Sequence, residues 1–357
     1  MQKDKIVTAI DIGSSKVTTI IAVIEEDLTP NIIGVSSITS SGLRKGQVVD
    51  TIPSSREIIH VIPRYFVIDS QSGIKDPVGM NGVRLEVETH IITGATTALR
   101  NIAKCVSSVG VDVEGMVFSG LASSYSVLTD TERELGVILV DFGGGTTDVC
   151  IFTDGAPAHC AVIPIGARNV TNDLAIGLRL SLESAEKIKL LLSQKPKVAV
   201  EMNSEGEVVD QQESDKLDLA GLGIEEDLRN VSKKTLTDGI IKPRLREILN
   251  MVKLEIQKSG YLGLTPSGVV LTGGGAQTSG FLDLARQELG MPVRLGQPTG
   301  AKCLVDEIAS PAFGASLGLI MYGSQFESGS SRVPLVGRIE IKGIIARGFG
   351  IFKKLIP

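Results

Sequence analysis

The chain has 357 residues, of which 42% are hydrophobic and 22% charged, and its formal net charge is −5 at pH 7. This composition excludes a disordered or fibrous chain, and the acidic balance argues against a surface that coats nucleic acid. The N-terminus lacks a signal-peptide pattern and no apolar stretch reaches the ~18 residues of a membrane span, so we expect any membrane contact to be peripheral.

Two β-hairpins with glycine-containing turns form an internal repeat. The first predicts strands over residues 6–12 and 17–24, and the second over 136–141 and 147–153. In each copy an aspartate, Asp11 or Asp141, ends the first strand, and a small polar or glycine-rich turn follows. A repeat separated by about 130 residues indicates two similar domains that face each other.

The rest of the chain alternates helical and β-rich patterns. Helical spacing covers residues 95–109, 169–178, 182–192, 243–257, 279–289 and 311–321. A buried strand is predicted over 268–272, running into a third glycine turn, and a polar hairpin over 201–213. Three of the four cysteines lie in apolar surroundings, which indicates buried, reduced thiols.

The three glycine turns suit a single nucleotide. Phosphates need backbone N–H donors at close range, and glycine or small residues let the backbone approach. Asp11 and Asp141 suit Mg²⁺ held largely through its waters, because Mg²⁺ dehydrates reluctantly. One such turn is equally typical of an ordinary tight hairpin. Two aspartate-led copies followed by residues 271–276 are more specific and predict a nucleotide site.

These motifs resemble the phosphate loops and the adenosine turn of the actin superfamily. The resemblance implies an α/β, actin-like fold, with two domains around a nucleotide cleft, each carrying a mixed five-stranded sheet and flanking helices. It implies binding of ATP and Mg²⁺, and residues 120–124 and 309–315 match the two interdomain connectors. The implied phosphate and adenosine contacts are Gly13, Ser14, Ser15, Lys16, Gly143, Gly144, Gly145, Thr146, Gly273, Gly274 and Gly275.

A weaker resemblance concerns the ribose and adenine. Residues 185–189 are similar to the superfamily's ribose-contacting helix, which implies that Glu186 accepts from ribose hydroxyls and that Lys189 flanks adenine. The alternative is a solvated helix face with i,i+3 and i,i+4 pairs.

Several stretches resemble one family within the superfamily: residues 41–46, 60–63, 73–77, 83–87 and 120–128, together with the terminal segment. They are similar to the FtsA family of bacterial cell-division proteins, and the resemblance covers almost the whole chain. The implied domains are residues 1–136, with a truncated 1C-type insertion at about 51–90, and 137–322, with a smaller subdomain at about 181–261. The first half of the insertion is missing, either as a natural reduction or as a deletion, which puts the contacts that the family places there in doubt. Residues 323–336 read as a flexible linker, and 337–357 as an amphipathic helix.

Slow or absent hydrolysis is expected. In the superfamily the first connector often offers Gln or Glu to position water, whereas this chain has Ser123 and Ser124. Asp141 is the remaining candidate catalytic residue.

The terminal segment has the pattern of an interfacial helix. Apolar side chains fall within an arc of about 160° and cationic ones lie opposite. A final helix that docks on the protein's own core, or one that binds a partner, remains an alternative. The predicted lipid-facing residues are Ile344, Ile345, Phe349, Ile351, Phe352, Leu355 and Ile356, with Lys353 and Lys354 toward anionic lipid.

The resemblance implies a scaffold that polymerises and tethers FtsZ filaments to the cytoplasmic face of the membrane at the division site. Implied partners are the acidic FtsZ C-terminal tail, with Arg286 and Arg294 as candidate contacts, a second copy, anionic lipid and other division proteins. An actin-fold ATPase or kinase, or a pilus-assembly relative of FtsA, is the alternative. The first would need a substrate cleft or domain, and the second a different docking site.

Overall fold

The computed structural model describes residues 5–25, 27–39, 56–194, 217, 232–303 and 306–325. Its strands are β1 Lys5–Ile12, β2 Lys16–Ile24, β3 Pro30–Thr39, β4 Arg56–Ile68, β5 Gln71–Ile74, β6 Leu85–Ala95, β7 Val137–Phe142, β8 Thr147–Thr153, β9 Ala156–Ile163, β10 Val269–Thr272, β11 Val293–Leu295 and β12 Lys302–Cys303. Its α-helices are α1 Thr96–Ser107, α2 Ser119–Val127, α3 Asp130–Leu135, α4 Ala167–Leu178, α5 Leu182–Ser193, α6 Lys233–Leu236, α7 Lys242–Ser259, α8 Phe281–Leu289 and α9 Gly314–Ser324. A π-helical turn, Thr237–Ile241, joins α6 to α7, and 3-10 turns span Gly274–Gln277, Asp306–Ala309 and Pro311–Phe313.

The first sheet has the strand order β1-β2-β3-β12. β1 and β2 pair antiparallel from Lys5 opposite Ile24 to Ile12 opposite Val17, so the turn after Ile12 is tight. Alternate residues of β2 are buried, as the period of two in a strand requires, and Ala9 is the buried residue of β1. They pack under α9, which returns from the far end of the chain. This core contains Ala9, Ile20, Ala22, Ile24, Ile32, Ile308, Leu317 and Ile320.

The second sheet has the order β11-β10-β7-β8-β9, with β7 parallel to β10 and antiparallel to β8. β7 and β10 are almost continuously apolar and buried, as expected of central strands covered on both faces. Residues from α4, α5, α7 and α8 pack on one face, and α2 covers the other. The largest buried cluster of the described chain therefore lies in the second domain.

Most of the predicted insertion lies in a third sheet, with the order β5-β4-β6. β4 and β6 are long antiparallel partners, from Arg56 opposite Ala95 to Ile68 opposite Leu85. α1 follows β6 directly, in agreement with the helical spacing over residues 95–109. β4 and β6 also touch β9, so this sheet contacts the second domain.

The structure differs from the sequence prediction in one strand count and two boundaries. Among the described residues the first sheet has four strands, where five were expected. β12 and α9 pack on the first sheet, although the predicted second domain extends to residue 322. The predicted linker begins at residue 323, but Gly323 and Ser324 form the end of α9. Lys5 Nζ donates to Ser324 O at 2.9 Å and ties this helix end to β1.

Other predictions fall outside the described residues. These are the hairpin over 201–213, most of the linker and the whole amphipathic helix. Within the described ranges, no helix combines the length and the apolar character that crossing a membrane requires.

Candidate functional site

The first predicted phosphate turn closes the β1–β2 hairpin. Gly13 N donates to Lys16 O at 3.0 Å, which leaves Ser14 and Ser15 at the tip. Lys16 Nζ lies 3.6 Å from the centroid of the Phe313 ring, so the cation is stacked on the segment that leads into α9. Burial lowers the pKa of Lys16, and the charge of Asp11 opposes that change.

The second predicted turn closes β7–β8 in the same way. Gly143 N donates to Thr146 O at 3.0 Å, which leaves Gly144 and Gly145 at the tip. The start of α4 is bound to this turn, because Ala167 N donates to Gly143 O at 2.9 Å and Arg168 N donates to Gly144 O at 2.8 Å. The turn is thus held by both its own strands and the following helix.

The two tips touch each other across the cleft. A Cβ placed on Gly144 would lie 2.4 Å from Ser15 Oγ, so a side chain there would displace the Ser15 hydroxyl. Arg168 Nη2 donates to Ser14 O at 3.0 Å and ties the second domain to the first turn. The internal repeat therefore brings its two copies face to face.

The aspartates at the strand ends each accept from a serine of a connector helix. Ser316 Oγ in α9 donates to Asp11 Oδ2 at 2.8 Å, and Ser123 Oγ in α2 donates to Asp141 Oδ2 at 2.5 Å. Burial raises the pKa of Asp11, and it raises the pKa of Asp141 to about 6, with a further contribution from the charge of Asp11. Two buried carboxyls that disfavour each other's ionised forms suit a shared cation.

Asp148 is a third carboxyl to which the sequence assigned no role. It lies opposite Asp141 in the β7–β8 register and accepts a hydrogen bond from Ser119. Burial, followed by the charge of Asp141, raises the pKa of Asp148 to about 7. No three metal-binding side chains of the described residues are grouped closely enough to hold an ion directly.

The candidate ribose residues form a small network on α5. Lys189 Nζ donates to Glu186 Oε2 at 2.7 Å and to Thr171 Oγ1 at 3.0 Å. The Lys189 side chain is 8% exposed, whereas that of Glu186 is 44% exposed. Glu186 can therefore meet a ligand, while the ammonium of Lys189 is already occupied by protein partners.

The third glycine turn combines two packed glycines with an open one. Gly273 has a φ of 86°, and a Cβ there would lie 2.4 Å from Asp141 Oδ1. A Cβ on Gly275 would lie 2.7 Å from Phe142 O, whereas one on Gly274 would have its nearest neighbour, Ala312 Cβ, at 3.6 Å. Gly274 is therefore the member of the turn that faces open space.

The two predicted connectors, α2 and α9, cross at close range. A Cβ on Gly318 would lie 1.8 Å from Ala122 O, and Ser126 Oγ donates to Gly314 O at 2.6 Å. The small residues of both helices let their backbones touch at the point where the two domains join. A sequence reading could anticipate the small residues, but not this pairing.

Comparisons with known proteins decide the family. A model described as "Cell division protein FtsA" matches residues 138–318, and one described as the SHS2 domain inserted in FtsA matches residues 12–93. The cell division protein FtsA of Pseudomonas aeruginosa is 33% identical over 403 residues, with 94% of each chain covered. The chain belongs to the FtsA family of cell division proteins. FtsA of Escherichia coli K12 is 32% identical over 394 residues, covering 90% of this chain and 91% of that protein.

Solved structures confirm the actin-like fold of this FtsA-family chain. The PilM-PilN type IV pilus biogenesis complex matches with a TM-score of 0.64 at 13% identity, over 89% of this chain and 98% of that one. MreB5 of Spiroplasma citri bound to AMPPNP matches with a TM-score of 0.52 at 11% identity, over 96% and 99%. Family membership and fold together support a cytoskeletal role in cell division.

The alignment with the Pseudomonas protein also shows how many of its aligned positions have no counterpart in this chain. It spans 403 residues, whereas 94% of the chain is about 336 residues, so about 67 positions of the Pseudomonas protein face a gap. A gap of this size is what a shortened 1C-type insertion would leave, and its position in the chain stays a prediction.

Proposed function

We propose that the chain binds ATP with Mg²⁺ in the cleft between its two domains, polymerises, and tethers FtsZ filaments to the cytoplasmic face of the bacterial membrane at the division site. The observation that carries the proposal is the contact between the tips of the two hairpins, at Ser15 and Gly144, with Asp11 and Asp141 behind them. A ligand that enters this cleft touches both domains at once. It can therefore bias the angle between them.

Different residues of the proposed site would contact the phosphates, the metal ion, the ribose and the adenosine. The turns at Gly13–Lys16 and at residues 143–146 would cradle the phosphates with backbone N–H groups, and a bound Mg²⁺ would neutralise phosphate charge. Asp11 and Asp141 would hold the waters of that ion. Glu186 would accept from the ribose hydroxyls, and the open side of Gly274 would face the adenosine. Lys189 would position Glu186, since its ammonium is bonded to that carboxylate.

Hydrolysis is proposed to be slow or absent. Ser123 and Ser124 of α2 are both buried, and their hydroxyls donate to Asp141 and to Leu121 O respectively. A serine hydroxyl is a weak base, so neither replaces the Gln or Glu that positions water in related sites. Asp141 remains the candidate residue for polarising the attacking water.

FtsZ is proposed to dock on the smaller subdomain around residues 181–261 together with the region of α8. Arg294 is committed elsewhere, because its guanidinium donates to both Glu132 carboxylate oxygens at 2.6 Å and to Val127 O at 2.8 Å. The Arg286 side chain is 51% exposed and pairs with Asp283. An acidic tail can compete with that exposed pair, so Arg286 is the better candidate of the two arginines.

Membrane attachment is assigned to residues 337–357. One amphipathic helix binds a bilayer reversibly, whereas a polymer that displays many copies gains from effective concentration. Electron microscopy on anionic lipid monolayers tests the combined proposal. Filaments should form with ATP and should be lost with a chain that ends at residue 342. Filaments that form on lipid without residues 343–357 would contradict it.

A further inference from the structure

Two thiols of the second sheet lie directly opposite each other. Cys150 on β8 and Cys160 on β9 are directly opposite each other in the antiparallel register. Neighbouring antiparallel strands hold such partners within about 4.5–5.5 Å between Cα atoms, which is inside the range of disulfide-linked residues. Both cysteines are free in the structure. The backbone therefore already places the two sulfurs for a covalent bond.

The two thiols differ in environment. Cys150 is fully buried, whereas Cys160 is half-buried at the junction where β6 meets β9. The neighbouring Cys150 thiol, followed by the His90 side chain, lowers the pKa of Cys160 to about 6, with a further contribution from His159. The interaction with Cys160, followed by burial, raises the pKa of Cys150. Cys160 is thus the nucleophile of the pair, and Cys150 the thiol that can resolve it.

The pair also touches the interdomain connector. A Cβ on Gly120 of α2 would lie 2.6 Å from Cys150 Sγ, so this sulfur fills the space that the glycine leaves. Turning the sulfur toward Cys160 would remove that contact. A change of redox state at this pair would therefore alter the packing of the helix that carries Ser123.

We propose that Cys160 and Cys150 are a redox-modification site, which forms a reversible cross-strand disulfide on exposure to hydroperoxides and loosens the packing of α2. The Cys160 thiolate attacks the peroxide O–O bond, which gives a sulfenic acid and hydroxide or alkoxide. The Cys150 thiol then attacks the sulfenic sulfur and releases water. Two thiols lose two electrons and two protons, and the peroxide is reduced to two molecules of water, or to water and an alcohol.

Intact-mass and peptide analysis of the full chain after one equivalent of hydrogen peroxide tests the site. The wild type should lose two hydrogen atoms in a peptide that links residues 150 and 160, and a dithiol should restore them. Cys160→Ala should abolish the link, whereas Cys150→Ala should leave a dimedone-reactive sulfenic acid at Cys160. Cys105→Ala, at an exposed cysteine outside the pair, is the matched control and should behave as the wild type.

Two results would overturn the proposal. One is oxidation that occurs at Cys105 while Cys150 and Cys160 stay alkylatable, a readout that uses the wild type and needs no variant to fold. The other concerns the connector, because hydrogen exchange in Ser119–Val127 should rise on oxidation. Unchanged exchange in a fully linked protein would refute the transmission to α2.

Discussion

Ser123 Oγ donates to Asp141 Oδ2 at 2.5 Å, so the first connector is bound to the carboxylate at the end of β7. In the described part of α2, Ser119–Val127, no side chain is a carboxylate or carboxamide. We therefore predict ATP turnover far below the usual enzyme range of ~1–10³ per second. Ser123→Ala should leave that turnover low, since it removes no base. A phosphate-release assay measures both, and turnover within the enzyme range would refute the assignment.

Nucleotide affinity should depend on the size of the residue at position 274. An arginine there would place its side chain in the open space beside Ala312 and block the adenosine, so Gly274→Arg should weaken Mg-ATP binding at least about tenfold, or 1.4 kcal/mol. Calorimetry measures the change. Gly274→Ala is the matched control and should bind Mg-ATP nearly normally, because its Cβ would lie 3.6 Å from Ala312 Cβ, an ordinary van der Waals distance. Equal affinities for the arginine and alanine variants would place the site elsewhere.

Local sequence patterns were sufficient for the hairpins and their glycine turns, because a tight turn leaves a local signature. The repeat also anticipated that the two hairpins would face each other. The serine partners of the aspartates were not predictable, since Ser316 reaches Asp11 across 305 residues of chain. The same holds for the stacking of Lys16 on Phe313, which depends on how α9 returns to the first sheet.

The crossing of the connectors should not tolerate a methyl group. Gly318→Ala would place a Cβ 1.8 Å from Ala122 O, so the helices must separate, at a cost of about 1–3 kcal/mol or more in the free energy of unfolding. Urea denaturation measures it. Gly239→Ala is the control, because no atom lies within 4 Å of a Cβ there. Similar losses in both variants would mean that the contact does not bear on stability.

His60 should make stability fall as the solution becomes acidic. Phe118 N donates to His60 Nε2 at 3.1 Å, and burial lowers the pKa of His60 from 6.5 to about 4. The neutral ring is therefore favoured in the folded state. The contribution of the neutral His60 ring to the free energy of unfolding is fully present above pH 6.5 and is lost as the pH falls through 4.

The His60→Gln variant keeps an acceptor but cannot be protonated in this range. Its free energy of unfolding should fall less steeply between pH 7 and 4 than that of the wild type, by on the order of 1–3 kcal/mol. Denaturation at several pH values measures the difference. His159→Gln retains His60, so it should keep the contribution of His60 to the decline. If the free energy of unfolding of His60→Gln fell with pH as steeply as that of the wild type, the assigned role of His60 would be wrong.

Co-sedimentation of FtsZ with anionic liposomes tests the proposed link between FtsZ polymer and lipid. With ATP, FtsZ should pellet with the liposomes when the wild-type chain is present, and equally with Phe352→Leu, which keeps the apolar arc. Phe352→Glu should release FtsZ to the supernatant, because a carboxylate enters the apolar layer and meets anionic headgroups. FtsZ that still pellets fully with Phe352→Glu would contradict the claim.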